Sequence, residues 1–93
     1  MNKAEQRHIE SIRRIGCIAC RVLNIFTPDV EIHHVRLGQG MGQRASHMQT
    51  LPLCATHHRN GGHGVALHAG QRTWEANFGT EAELLEKVRE MLG

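Results

Sequence analysis

The chain has 93 residues, 40% of them hydrophobic and 22% charged, with a formal net charge of +2. That length holds one small domain, residues 1–93, whose apolar core is marginal without a staple such as a metal, disulfides or a partner chain. Three cysteines exclude a complete disulfide framework, and no run of about 18 apolar residues is present to span a membrane.

Charge is unevenly placed. Residues 1–74 hold nine Lys/Arg against four Asp/Glu, and residues 75–93 hold two against five. The basic part is mostly arginine, which grips phosphate in a fixed fork and points to a nucleic-acid partner. A solvated basic face is the competing reading.

The first residues, MNKAEQRHIESIRRIG, are polar with a helical pattern rather than charged-then-apolar, so no leader is expected. The expected compartment is a reducing cytoplasm, where spaced Cys and His are metal ligands more often than disulfide partners. Ile9, Ile12 and Ile15 recur at helical spacing and predict a helix over 3–15. Asn2 and Glu5 form its capping box, and Gly16 stops it.

CIAC at 17–20 predicts a tight knuckle, with RVLNIF packed below it and TPD as a turn. VEIHHV, residues 30–35, is β-branched and predicts a short strand. RLGQGMGQRAS has three glycines and no period, so it predicts a loop; with no G-x-x-x-x-G-K-[ST] it is not a P-loop. TLPLC predicts a second short strand or an extended run. In HHRNGGHG, Gly61 and Gly62 bar a long regular helix. QRTWEANF, residues 71–78, predicts two helical turns ending at Gly79, with Trp74 in the core rather than stacked on a base. Residues 80–92 predict the clearest helix, capped by Thr80 and Glu83, with Leu84, Leu85, Val88, Met91 and Leu92 on one face. That face serves core packing or pairing, so monomer and dimer both stay open.

Cys17-x-x-Cys20 and Cys54-x-x-His57 are two half-sites of equal spacing, 33 residues apart. Two intervening residues let a turn aim both side chains at one ion, and Cys₃His is a closed tetrahedral zinc set. The expectation is a structural Zn²⁺ that ties the first helix to the central motif. A redox CxxC expects a βαβ context, and a haem attachment needs His where Arg21 stands.

This leaves His33, His34, His47, His58, His63 and His68, six histidines within 36 residues. Imidazole is the commonest metal ligand and the side chain best suited to proton transfer near pH 7. A strict strand sends His33 and His34 to opposite faces, so a shared site needs a bend or a substrate lying between them.

A strand with a His pair, a Gly-rich loop and then Leu-Cys-x-x-His-His resembles the HNH nuclease superfamily with its ββα-metal site. HHVR, LPLCATHHRNG, VALHAG and FGTEAELL are similar to the phage recombination-enhancement family of RecA-dependent nucleases, over roughly residues 15–88. The resemblance implies an α+β, zinc-stapled, treble-clef-like ββα-metal fold with an N-terminal helix and a C-terminal amphipathic helix. It implies a metal-dependent DNA endonuclease acting in phage or prophage recombination in a bacterial cytoplasm, with DNA and a RecA filament on single-stranded DNA as partners. Residue by residue, His34 matches the general base that deprotonates the attacking water, and His33 and His58 match ligands of the catalytic ion. His68 is the third candidate ligand, with His63 behind it. The middle position of the name motif, five residues before the knuckle cysteine, is Gln49, a departure that can still orient a histidine by hydrogen bonding.

The chemistry suits these residue types. A bound cation neutralises developing charge on a phosphodiester, and a histidine base activates water. Histidine ligation suits zinc, manganese or nickel; magnesium would complete its shell with water and phosphate. Arg36, Arg44 and Arg59 flank the site as candidate phosphate contacts. The alternatives are a non-catalytic zinc module that binds DNA or protein, which has no need of His33, His34, His58 and His68, and a metal-storage protein, which does not explain the patterning.

Overall fold

The computed structural model describes residues 1–35 and 47–93. Helix α1 (Lys3–Ile15) is fixed at both ends by local chemistry. Asn2 accepts from the Glu5 N–H at 2.8 Å while the Glu5 carboxylate accepts from the Asn2 N–H at 2.9 Å. Gly16 ends the helix at φ 80°, where an added Cβ would lie 2.7 Å from the Thr27 carbonyl oxygen. Ile9, Ile12 and Ile15 are the buried stripe.

The knuckle is a short helix, α2 (Ile18–Val22), with Cys17 as its cap. The segment after it departs from the expectation. Val22 packs against the core, but Leu23, Ile25 and Phe26 are exposed, because Asn24 turns the chain in the left-handed region at φ 61°. Arg21 covers Phe26 at 5.0 Å from the ring centroid.

Strands β1 (Glu31–His34) and β2 (Thr50–Leu53) pair antiparallel, with Glu31 opposite Leu53 and His34 opposite Thr50. β2 is buried along its whole length beneath α1, α2 and α4. Thr56–Asn60 then forms one wide π-turn, closed by the Gly61 N–H on the Thr56 carbonyl at 2.9 Å. A 3₁₀ turn (Leu67–Ala69) leads into α3 (Gln71–Phe78) and α4 (Glu81–Leu92). Thr80 and Glu83 form the second capping box. Leu84, Leu85 and Val88 are buried as expected, whereas Met91 and Leu92 are 42% and 38% exposed. The last turn of α4 lies at the edge of the core, where Met91 and Leu92 line a shallow pocket with Ile15 and Arg21 and stay partly exposed.

The result is a small α+β fold with four α-helices and a two-stranded sheet among the described residues. Its core joins Ile12, Ile18, Val35, Leu51, Leu53, Trp74 and Val88 to the cysteine cluster. Trp74 is fully buried, a core residue as expected. No described helix is long and apolar enough to cross a membrane.

Candidate metal centres and catalytic site

Cys17, Cys20, Cys54 and His57 converge with their donor atoms all within 4.8 Å of one another. His57 Nδ1 lies 3.7, 3.4 and 3.2 Å from the Sγ atoms of Cys17, Cys20 and Cys54, and the Cys20 and Cys54 sulfurs are 3.9 Å apart. Three sulfurs and one nitrogen around a tetrahedral zinc stand roughly 3.6–3.8 Å apart, so this set fits that ion. Burial pushes the Cys17 thiol up to about 12. A cation bound among these buried thiols would take them as thiolates and supply the charge that burial disfavours at Cys17. The Cys20 N–H reaches Cys17 Sγ at 3.4 Å, and the Thr27 hydroxyl donates to Cys20 Sγ at 3.1 Å. His57 is braced edge-on by Phe78 at 5.0 Å.

The second group is His33, His58 and His68, whose donor atoms also lie within 4.8 Å of one another. They come from β1, the π-turn and the 3₁₀ turn. The π-turn lets adjacent residues part: His57 goes inward to the cysteines, and His58 goes outward to this group. His58 and His68 meet Nε2 to Nε2 at 3.0 Å. Two imidazole nitrogens on one ion stand about 2.9–3.4 Å apart, so this spacing also fits a cation. Carboxylates contact two of the three rings. Glu31 is 2.8 Å from His58 Nδ1, and Glu81 is 3.0 Å from His33 Nε2. Burial first, then the neighbouring His58 and His33, hold the His68 imidazole below the usual histidine range, which favours its neutral, ligating form.

His34 points away from His33 by strand alternation, yet both line one cavity of about 340 Å³ with His68, Gln71 and Glu81. The structure brings His47 to His34, with His34 Nε2 lying 2.9 Å from His47 Nδ1. Gln49 sits just before β2, where its backbone carbonyl accepts from the Val35 N–H at 2.8 Å. His63 stands apart from the histidine group, 3.1 Å from the Thr73 hydroxyl. Arg59 is 57% exposed and is clamped on Glu31, Nη2 to Oε2 at 2.6 Å. Arg36, Arg44 and the Gly38–Gly42 segment lie outside the described residues.

Four residues of the site received no role from the sequence alone: Glu31, Glu81, Gln71 and His47. Glu31 carries a readable signal, since it lies two residues before His33 on a strand and so shares its face. Glu81 looks like an ordinary first-turn acid on α4.

The model of the recombination enhancement, RecA-dependent nuclease family matches residues 2–93, and the chain belongs to that family. No curated protein matches it individually.

Proposed function

We propose that this member of a RecA-dependent nuclease family is a metal-dependent DNA endonuclease with an HNH-type, ββα-metal site. The observation that carries the reading is the convergence of His33, His58 and His68 from three elements beside a cavity that His34 also lines. These three histidines would hold the catalytic ion, Mg²⁺ or Mn²⁺, with Zn²⁺ and Ni²⁺ also compatible with imidazole. When bound, the ion supplies charge neutralisation at the phosphate and the leaving oxygen.

The protein's own part is positional and protolytic. His34 takes the proton from the attacking water, and its Nε2 is anchored by His47. Glu31 and Glu81 set the rings of His58 and His33. The Cys17, Cys20, Cys54 and His57 cluster would hold a structural zinc, and His57 would tie the π-turn, and with it His58, to that centre. Arg36, Arg44 and Arg59 contact phosphates along the substrate, and the RecA filament presents the DNA.

The test is cleavage with Mg²⁺ or Mn²⁺ of supercoiled plasmid and of duplex DNA paired with a RecA-coated strand, wild type beside His34→Ala. The expected result is cutting by wild type and loss of about 10²–10⁴-fold in His34→Ala. If wild type folds with one zinc and cuts neither substrate, the non-catalytic zinc module replaces this reading.

A further inference from the structure

Glu81 is the first residue of α4, where a carboxylate is favoured by the helix dipole alone. The capping of that helix is done by another residue, Glu83, which accepts from the Thr80 N–H at 3.0 Å. Glu81 instead turns inward. Its side chain is 15% exposed, against 13% for His33. Both of its oxygens are engaged: Oε2 meets His33 Nε2 at 3.0 Å, and Oε1 accepts from Gln71 Nε2 at 2.6 Å. A carboxylate that served only the dipole would keep its hydration, because sheltering it from water is costly unless it is paired. Here it is paired to a histidine of the proposed ion site and steadied by the first residue of α3.

We infer that Glu81 is a positioning residue for the catalytic ion, acting through His33, with Gln71 holding the carboxylate in place. The inference rests on the proposed reading of His33, His58 and His68 as an ion site. Glu81 is not itself a member of the ligand group, which is formed by the three histidine donors within 4.8 Å of one another. It fixes the plane of the His33 ring and places a negative charge against its Nε2. Removing such a partner costs about 10- to 100-fold in metal affinity. The consequence is architectural: α3 and α4 each contribute a residue to the site that the β1 strand and the two turns build.

The test needs no DNA. Mn²⁺ is titrated into protein that carries one zinc per chain, and free Mn²⁺ is read by electron paramagnetic resonance. Wild type, Glu81→Gln, Glu81→Asp, Gln71→Ala and His33→Ala are compared. Glu81→Gln is expected to bind Mn²⁺ about 10- to 100-fold more weakly with its zinc content unchanged, and Glu81→Asp to recover part of that loss. Gln71→Ala keeps the carboxylate but frees it, so it weakens binding less and serves as the test if Glu81→Gln melts early. Binding by Glu81→Gln and Gln71→Ala within twofold of wild type, while His33→Ala loses it, would overturn the role of Glu81 alone. Equal binding by wild type and His33→Ala would remove the ion site itself, and the role of Glu81 with it.

Discussion

Glu31 stands 2.8 Å from Nδ1 of His58, and the opposite nitrogen of that ring stands 3.0 Å from Nε2 of His68. An ionised carboxylate only accepts, so Nδ1 of His58 donates to it, and the ring is held with Nε2 facing the histidine group. The Arg59 guanidinium, and after it His58, hold the Glu31 carboxyl down to about 2. One acid thus ties an exposed arginine to the orientation of a candidate ligand.

Replacing Glu31 by Gln keeps the shape and removes the charge. Affinity for Mn²⁺ at the histidine group is expected to fall about 10- to 100-fold, as for other carboxylates behind a ligating histidine. Zinc content should stay at one per chain, because the cysteine cluster does not touch Glu31. Calorimetric titration of Mn²⁺ checks this; an unchanged affinity would mean that the Glu31–His58 contact is structural only.

Removing an ion held by the cysteine cluster is expected to destabilise the whole chain rather than merely inactivate it. The aromatic contribution to the core is small, one Trp and two Phe in the whole sequence, and the cysteine cluster is part of the buried core. Zinc binding in such domains carries on the order of 10 kcal/mol of apparent free energy. Strong chelation, or Cys54→Ser, should steeply lower the midpoint of the thermal transition seen by circular dichroism. His68→Ala should leave that transition in place.

The parts of this molecule that were legible in its sequence are those built by near neighbours. Asn2 with Glu5 and Thr80 with Glu83 marked two helix starts, since a capping box is a contact across three residues. Cys17 with Cys20 and Cys54 with His57 were readable because ligand spacing is imposed by one turn. Glu81 on His33 spans 48 residues, and nothing local announces it. Apolar character alone misled at Leu23, Ile25 and Phe26, where the turn at Asn24 carries the side chains outward. At Met91 and Leu92 the helical face left core packing and pairing both open, and the structure places them at the partly exposed edge of the core.

Acid should loosen the metal-free protein in a defined order. Burial lowers the pKa of His57, and burial with neighbouring histidines lowers that of His68. A histidine whose folded pKa lies below its unfolded value, about 6.5, contributes stability that is present above that value and is lost as pH falls through it. Glu31, held down to about 2, keeps its contribution until far lower pH. Denaturant midpoints of the chelated protein should therefore begin to fall below about pH 6.5. A midpoint flat from pH 7 to 5 would contradict this.

The π-turn offers the sharpest structural test, because it carries one residue for each centre. Gly61 closes it, and its φ of −79° suits any residue, so its need for glycine is steric. An added Cβ would lie 2.5 Å from Val65 Cγ1 and 2.6 Å from the Thr56 carbonyl oxygen. Gly61→Ala must therefore shift the turn that holds His57 and His58, at a cost of about 1–3 kcal/mol. Gly62 is the contrast. A Cβ there meets nothing within 4 Å among the described residues, but its φ of +82° is strained for alanine. Both variants should lower the thermal midpoint. Only Gly61→Ala should also weaken Mn²⁺ binding, since only it displaces His58 against Glu31 and His68. Equal Mn²⁺ affinity in the two variants would mean that the turn tolerates repacking without moving its histidines.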